Sequence, residues 1–166
     1  MKCDNLFKVA DNTRPIGHVS ATIEYLDGRP TEVVEAVQNT VLRTGREALA
    51  KCLAGETGDE FNFFVSRMLF GDGGTAGGVP KYVNTERNGL FGTTRASKPV
   101  IASIDPSFPS QVTFTSVVAY SEANGYSLNE MALQMNNGDL YSMSTFPDMG
   151  KTALMQITWN WRLAFV

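Results

Sequence analysis

The closing stretch MQITWNWRLAFV, residues 155–166, narrows the possible folds more than any other part of the chain. Met155, Ile157, Trp159, Trp161, Leu163 and Phe165 fall in one alternating register, and Gln156, Thr158, Asn160, Arg162 and Ala164 in the other. A period of two with every large apolar residue on one side predicts a strand with one buried and one wet face. Chain ends usually fray. A terminal strand this apolar must therefore be paired and covered, within its own sheet or against another chain.

Similar short runs precede it. EFNFFVSRMLF is apolar in both registers, as in a strand buried on both faces. KPVIASI, QVTFTSVVAY, YSLNEMALQM and DLYSMSTF follow, separated by DPSFPS, SEANG, NNG and FPDMGK. Short strands punctuated by Gly, Pro, Asn and Asp predict a mainly β fold, an antiparallel, jelly-roll-like β-sandwich. Asn137-Gly138 predicts a type I′ hairpin turn. Upstream, Val34, Val37, Val41, Ala48, Leu49, Cys52 and Leu53 recur near helical spacing. Thr31 is the expected cap, with Glu32 and Glu35 in the first turn and Gly55 just past the end. Gly45 marks a weak point or a break. The expected organisation is an arm over residues 1–30, in which HVSATIEYL holds one short strand, and a helix-plus-sandwich domain over 31–166.

The chain has 166 residues, 19% of them charged, a net charge of −3 and a pI near 5.1. That suits one domain and supplies no basic field for a nucleic-acid backbone. So few charges fit a surface covered in an assembly. Cys3 and Cys52 make no disulfide framework and are read as reduced thiols. No apolar run reads as a signal peptide or a membrane span. The expectation is therefore no nucleic acid and no membrane.

The motifs that would carry chemistry are incomplete. FGDGGTAGG contains G-x-G-x-x-A through Gly71, Gly73 and Ala76, but a phosphate site needs a helix to begin there. Gly77, Gly78 and Pro80 follow instead, so the segment from Gly71 to Gly92 is expected to be a surface loop, mobile or docked on a neighbour. His18 is the single histidine, with no nucleophile motif nearby. One His and two Cys do not make a zinc site. Asp59 and Glu60 read as solvated, and Asp72 and Asp139 as turn formers. No cofactor, metal, small-molecule substrate or catalytic residue is assigned. Gly71, Asp72, Gly73, Gly74 and Arg87 are the candidate interface residues. Glu130, Trp159, Trp161 and Phe165 are candidate core residues. Glu130 sits among apolar neighbours in SLNEMALQM, which leaves two placements: a buried acid paired with Arg95 or Arg162, or an edge position facing water.

The order of motifs resembles the N-terminal module of bacteriophage tail-collar and tail-fibre proteins. The matching residues are Gly71-Asp72-Gly73, then Glu130-Met131-Ala132-Leu133, Gly138-Asp139-Leu140, and Phe146-Pro147 with Lys151, spread over residues 36–166. The terminal ITWNWRLAF also resembles the closing strand of small phage virion proteins. The family's modules continue into a long fibre, whereas this sequence ends at Val166. The resemblance thus implies an attachment module without the appendage: a non-enzymatic virion structural protein, assembled in the host cytoplasm. It would serve as an adaptor docking neck, collar or tail components, with other virion proteins and copies of itself as partners. Two alternatives stay open, a capsid decoration (cement) protein and a carbohydrate-binding module. The latter calls for solvent-facing aromatics, and Trp159 and Trp161 share a face with Ile157 and Leu163.

Overall fold

The computed structural model describes residues 15–55 and 63–165. Residues 1–14, with Cys3, and the Asp59–Glu60 pair lie outside them. In chain order the strands are β1 (Pro15–Tyr25), β2 (Glu32–Gln38) and β3 (Thr40–Val41), followed by helix α1 (Arg43–Ala54). Then come β4 (Val65–Gly71), β5 (Thr75–Ala76), β6 (Val79–Pro80), β7 (Thr94–Pro99), β8 (Ile101–Ser103) and β9 (Gln111–Val118). β10 (Ser127–Met135), β11 (Leu140–Gly150) and β12 (Met155–Phe165) complete the chain. One sheet has the order β2-β1-β12-β9-β8, a second β3-β11-β10-β4-β7, and β5 pairs with β6. The mainly β, antiparallel sandwich-like fold with a single described helix is as the sequence predicts.

β12 is the middle strand of the first sheet, paired with β1 from Pro15↔Phe165 to Tyr25↔Met155 and with β9 on its other side. Its hydrogen bonds are thus met on both edges. Met155, Ile157, Trp159, Trp161 and Leu163 are buried, as the alternation requires. They meet Met68, Phe70, Met131, Leu133 and Phe146 of the second sheet in one core. The Trp159 ring lies 5.4 Å from that of Phe70 and 5.1 Å from that of Phe146, within the range of favourable aromatic pairs. Phe165 departs from expectation: it is 40% exposed, at the sheet end beyond Leu163, which is 2% exposed. Alternation fixes the face of a residue, but only the opposite sheet decides how far along that face burial extends.

The N-terminal boundaries are also corrected. Residues 15–25 are no arm but an eleven-residue strand inside the first sheet, longer than the short run expected there. The expected helix from Thr31 is a strand over its first part. Thr31, Val33, Val34, Val37, Thr40 and Val41 are β-branched and favour the pleated backbone, and pairing of β2 with β1 at Ala21↔Val34 and Thr22↔Val33 settles the choice. Glu32 and Glu35 therefore lie on β2, and Leu42, which makes no side-chain cap, starts α1. The end was legible: Gly55 takes the left-handed conformation with φ 66°, and its N–H reaches the Cys52 and Lys51 carbonyls. Gly45 does not break the helix; it faces the Tyr141 carbonyl of β11, where a Cβ would collide.

KPVIASI divides at Val100, with β7 in the second sheet and β8 in the first, so the chain changes layers there. The β10–β11 hairpin is where expected but its turn differs. Gly138 has φ 95° while neither Asn136 nor Asn137 has a positive φ. Gly138 N–H donates to the Met135 carbonyl at 3.0 Å and Met135 N–H to that of Asp139 at 2.8 Å. This is the pattern of a three-residue loop closed by a glycine bulge, not of a type I′ turn.

Trp159→Ala should cost about 3–5 kcal/mol in urea unfolding, and Phe165→Ala only about 1 kcal/mol or less. Comparable losses at both positions would contradict the depth difference. A second check uses Glu122, which accepts from Lys98 Nζ at 2.6 Å and from Ala119 N–H at 2.8 Å. The Lys98 ammonium first, and then the Ala119 amide, hold its carboxyl below the ordinary 4.5. The stabilisation is therefore present above that value and lost as pH falls through the depressed one. The difference in stability between the parent and Glu122→Gln should shrink as pH is lowered from about 6 to about 3.

Candidate functional site

β10 is buried on both faces, so the second sheet must be covered on its outer side as well. Leu42, Val83, Ala132, Leu140 and Met143 form a second apolar cluster there, with Leu69, Leu90 and Phe91 packed against it. Three of these eight, Val83, Leu90 and Phe91, come from the turn-rich stretch after β4. That segment is thus folded back over the sheet rather than extended from it.

A single carboxylate holds it down. Glu130 is completely buried. Its Oε1 accepts from the Gly73 amide at 2.9 Å and the Gly92 amide at 2.8 Å, and its Oε2 from the Phe91 amide at 2.6 Å. A buried carboxylate can be satisfied by backbone N–H groups alone, in charge-assisted hydrogen bonds. Neither Arg95 nor Arg162 pairs with Glu130, and the water-facing alternative fails too. Arg95 instead bridges Asp72 Oδ2 at 2.6 Å and lies 4.0 Å over the Tyr126 ring. Arg162 stands on the outer face of the first sheet, opposite His18 and Thr113.

The neighbouring polar residue works with Glu130. Asn129 Oδ1 accepts from the Gly74 amide at 2.6 Å, and its Nδ2 donates to Asp148 Oδ1 at 2.8 Å and Thr75 Oγ1 at 3.0 Å. Adjacent strand residues normally face opposite ways. Here the register shifts between Leu128 and Glu130, and such a bulge re-aims a side chain, so both polar groups reach the same loop. The two loop strands touch backbone to backbone: a Cβ on Gly73 would collide with Gly92, and one on Gly92 would come within 2.6 Å of the Gly73 nitrogen. These glycines are required by proximity rather than by an unusual φ.

The rest of the segment is anchored in the same manner. Lys81 Nζ donates to the Gly73 carbonyl at 2.6 Å, and Thr145 Oγ1 to the Lys81 carbonyl at 2.7 Å. Arg87 lies 3.6 Å over the Phe91 ring and donates to the Gly89 and Leu90 carbonyls. Arg43 N–H donates to the Thr85 carbonyl at 2.8 Å, linking the loop to α1. The expectation of a mobile loop is therefore corrected. A glycine-rich composition gives little core of its own, but amides and three apolar side chains dock it on its own sheet. Gly71, Asp72, Gly73, Gly74 and Arg87 are brought together here, and the contacts described for them are within the chain.

Lys151, at the end of the FPDMGK segment, is the second buried charge. Its ammonium reaches the Thr152 carbonyl at 2.9 Å and Asn124 Oδ1 at 3.1 Å, and burial pushes its pKa down. It ties the β9–β10 connection to the β11–β12 turn. Phe146 of the same segment packs on Trp159. Among the described residues no three His, Cys, Asp or Glu side chains stand together as a metal site. No family model, curated protein or solved structure matches this chain.

Sequence reasoning missed Asn129, Phe91 and Gly92. The available signal was the pair Asn129-Glu130, two adjacent polar residues in a strand whose other buried positions are apolar. Glu130→Gln replaces an acceptor by an N–H donor facing an amide donor. It should cost about 1–3 kcal/mol and make residues 71–92 the first site of limited proteolysis, where the parent protein is spared. Unchanged cleavage would show that the carboxylate does not hold the loop.

Proposed function

We propose that this chain is a non-enzymatic bacteriophage virion structural protein, an adaptor on which neck, collar or tail components dock. The observation that carries the reading is the pinned loop. Clasped at its base by Glu130, it presents Val79 at 66% and Tyr82 at 85% exposure. Apolar side chains held out on a fixed support cost little ordering entropy on docking. The motifs of the tail-collar resemblance support it from a second side, because Gly71–Gly73 and Glu130 build this support. The low charge content and the further exposed apolar residues Ile101, Ile104 and Phe108 fit a surface covered in an assembly. The cement-protein alternative uses the same surface on a capsid lattice. The carbohydrate-binding alternative loses its two tryptophans, which are buried.

Electron microscopy of intact particles carrying this protein should place the sandwich at the neck, collar or tail. Density distributed over the capsid faces would transfer the reading to decoration, and absence of the chain from purified particles would overturn both. Val79→Ser with Tyr82→Ser should reduce incorporation into particles by about tenfold or more while leaving the thermal midpoint of the free protein unchanged. Full occupancy of the double variant would remove the loop from the docking surface.

A further inference from the structure

Among the described residues the sandwich is open along one edge. β2 is the outermost strand of the first sheet there, and Val34, paired with the buried Ala21, is 42% exposed. Its cover should come from the second sheet. The edge strand of that sheet, β3, is two residues long and pairs only with Ser142 and Met143 of β11. Between β2 and the last part of β11 lies a cleft of roughly 440 Å³, within the size range of binding sites. Tyr25, Phe146, Met149, Met155 and Trp159 line its floor, and Glu32, Glu35 and Asp148 its rim, with no basic residue among the described lining. Arg29, which lies 3.9 Å over the Tyr25 ring, is engaged by Asp27 at 2.9 Å.

We propose that this cleft receives an extended peptide segment of a partner protein, in which apolar residues alternate with lysine or arginine, laid along the free edge of β2. Three features select that occupant. The unpaired strand edge offers main-chain hydrogen bonds to another strand, the basis of β-strand addition. A period of two sends every second side chain inward onto the aromatic floor, where Val34 waits uncovered. The three carboxylates favour cationic residues at the remaining positions and disfavour acidic ones. The inference does not rest on the virion reading, which particle microscopy tests separately.

The test uses the full chain and fluorescently labelled acetyl-(Lys-Val)4-amide, followed by anisotropy and tryptophan emission. Binding should be saturable. Acetyl-(Glu-Val)4-amide and acetyl-(Lys-Ser)4-amide should each bind at least about tenfold more weakly, since one lacks the charge and the other the apolar face. Val34→Lys should weaken binding by about tenfold or more, and so should the double variant Glu32→Gln/Glu35→Gln, which keeps the side-chain shapes should Val34→Lys not fold. Asp105→Lys, an equal charge change beyond the far edge of the sheet, should leave binding as it is. Equal affinity for the Lys-Ser peptide, no saturable binding, or an equal loss in Asp105→Lys would overturn the proposal. So would self-association that excludes the peptide, which would give the cleft to a second copy.

Discussion

The buried carboxylate of Glu130 is the interaction on which the outer layer of this protein depends. It accepts three amides from two segments that are far apart in sequence, Gly73 on one side and Phe91 and Gly92 on the other. Those segments bracket the loop that covers the outer face of β10. Without that cover Ala132, Leu140 and Met143 would face water. A surface loop normally makes its hydrogen bonds to solvent. Here the loop exchanges solvent for a carboxylate, and gains the burial of Val83, Leu90 and Phe91.

The motifs that suggest a phage attachment module in the sequence have structural tasks in this fold. A Gly-Asp-Gly turn, an acid in a later strand, an aromatic-proline pair and a lysine are scattered along the sequence. In three dimensions each has a constructive task. Gly73 permits the backbone contact with Gly92, Asp72 holds Arg95, Glu130 holds both segments, and Lys151 joins two turns. The first three are the means by which a chain with a long glycine-rich loop keeps that loop in one place, and a fixed loop is what a docking surface requires.

The two edges of the first sheet contrast with this closure. β8 and β2 carry exposed apolar residues, Ile101 on one and Val33 and Val34 on the other. Free strand edges without charged or proline guards invite pairing with another chain. β2 does carry guards, Glu32 and Glu35, and these do not forbid pairing so much as choose its sign. The cleft behind β2 extends the choice to shape, because its aromatic floor lies where a further strand opposite β2 would place its side chains.

What the sequence determined by itself was whatever follows from local periodicity and local backbone chemistry. The alternation in residues 155–165 placed both tryptophans on one buried face, and Gly55 and the Asn137-Gly138 pair marked a helix end and a hairpin. Tertiary structure decided the rest. Residues 32–41 carry an apolar spacing compatible with a helix and a β-branched content suited to a strand, and pairing with β1, then with β11 at Thr40–Val41, chose the strand. Phe165 has the right register but lies past the cover of the opposing sheet. The partners of Glu130 are backbone amides, and every residue but proline has one, so no side-chain pattern could name Phe91 or Gly92 in advance. Periodicity is written along the chain, whereas cover and amide partners depend on which segments meet across the fold.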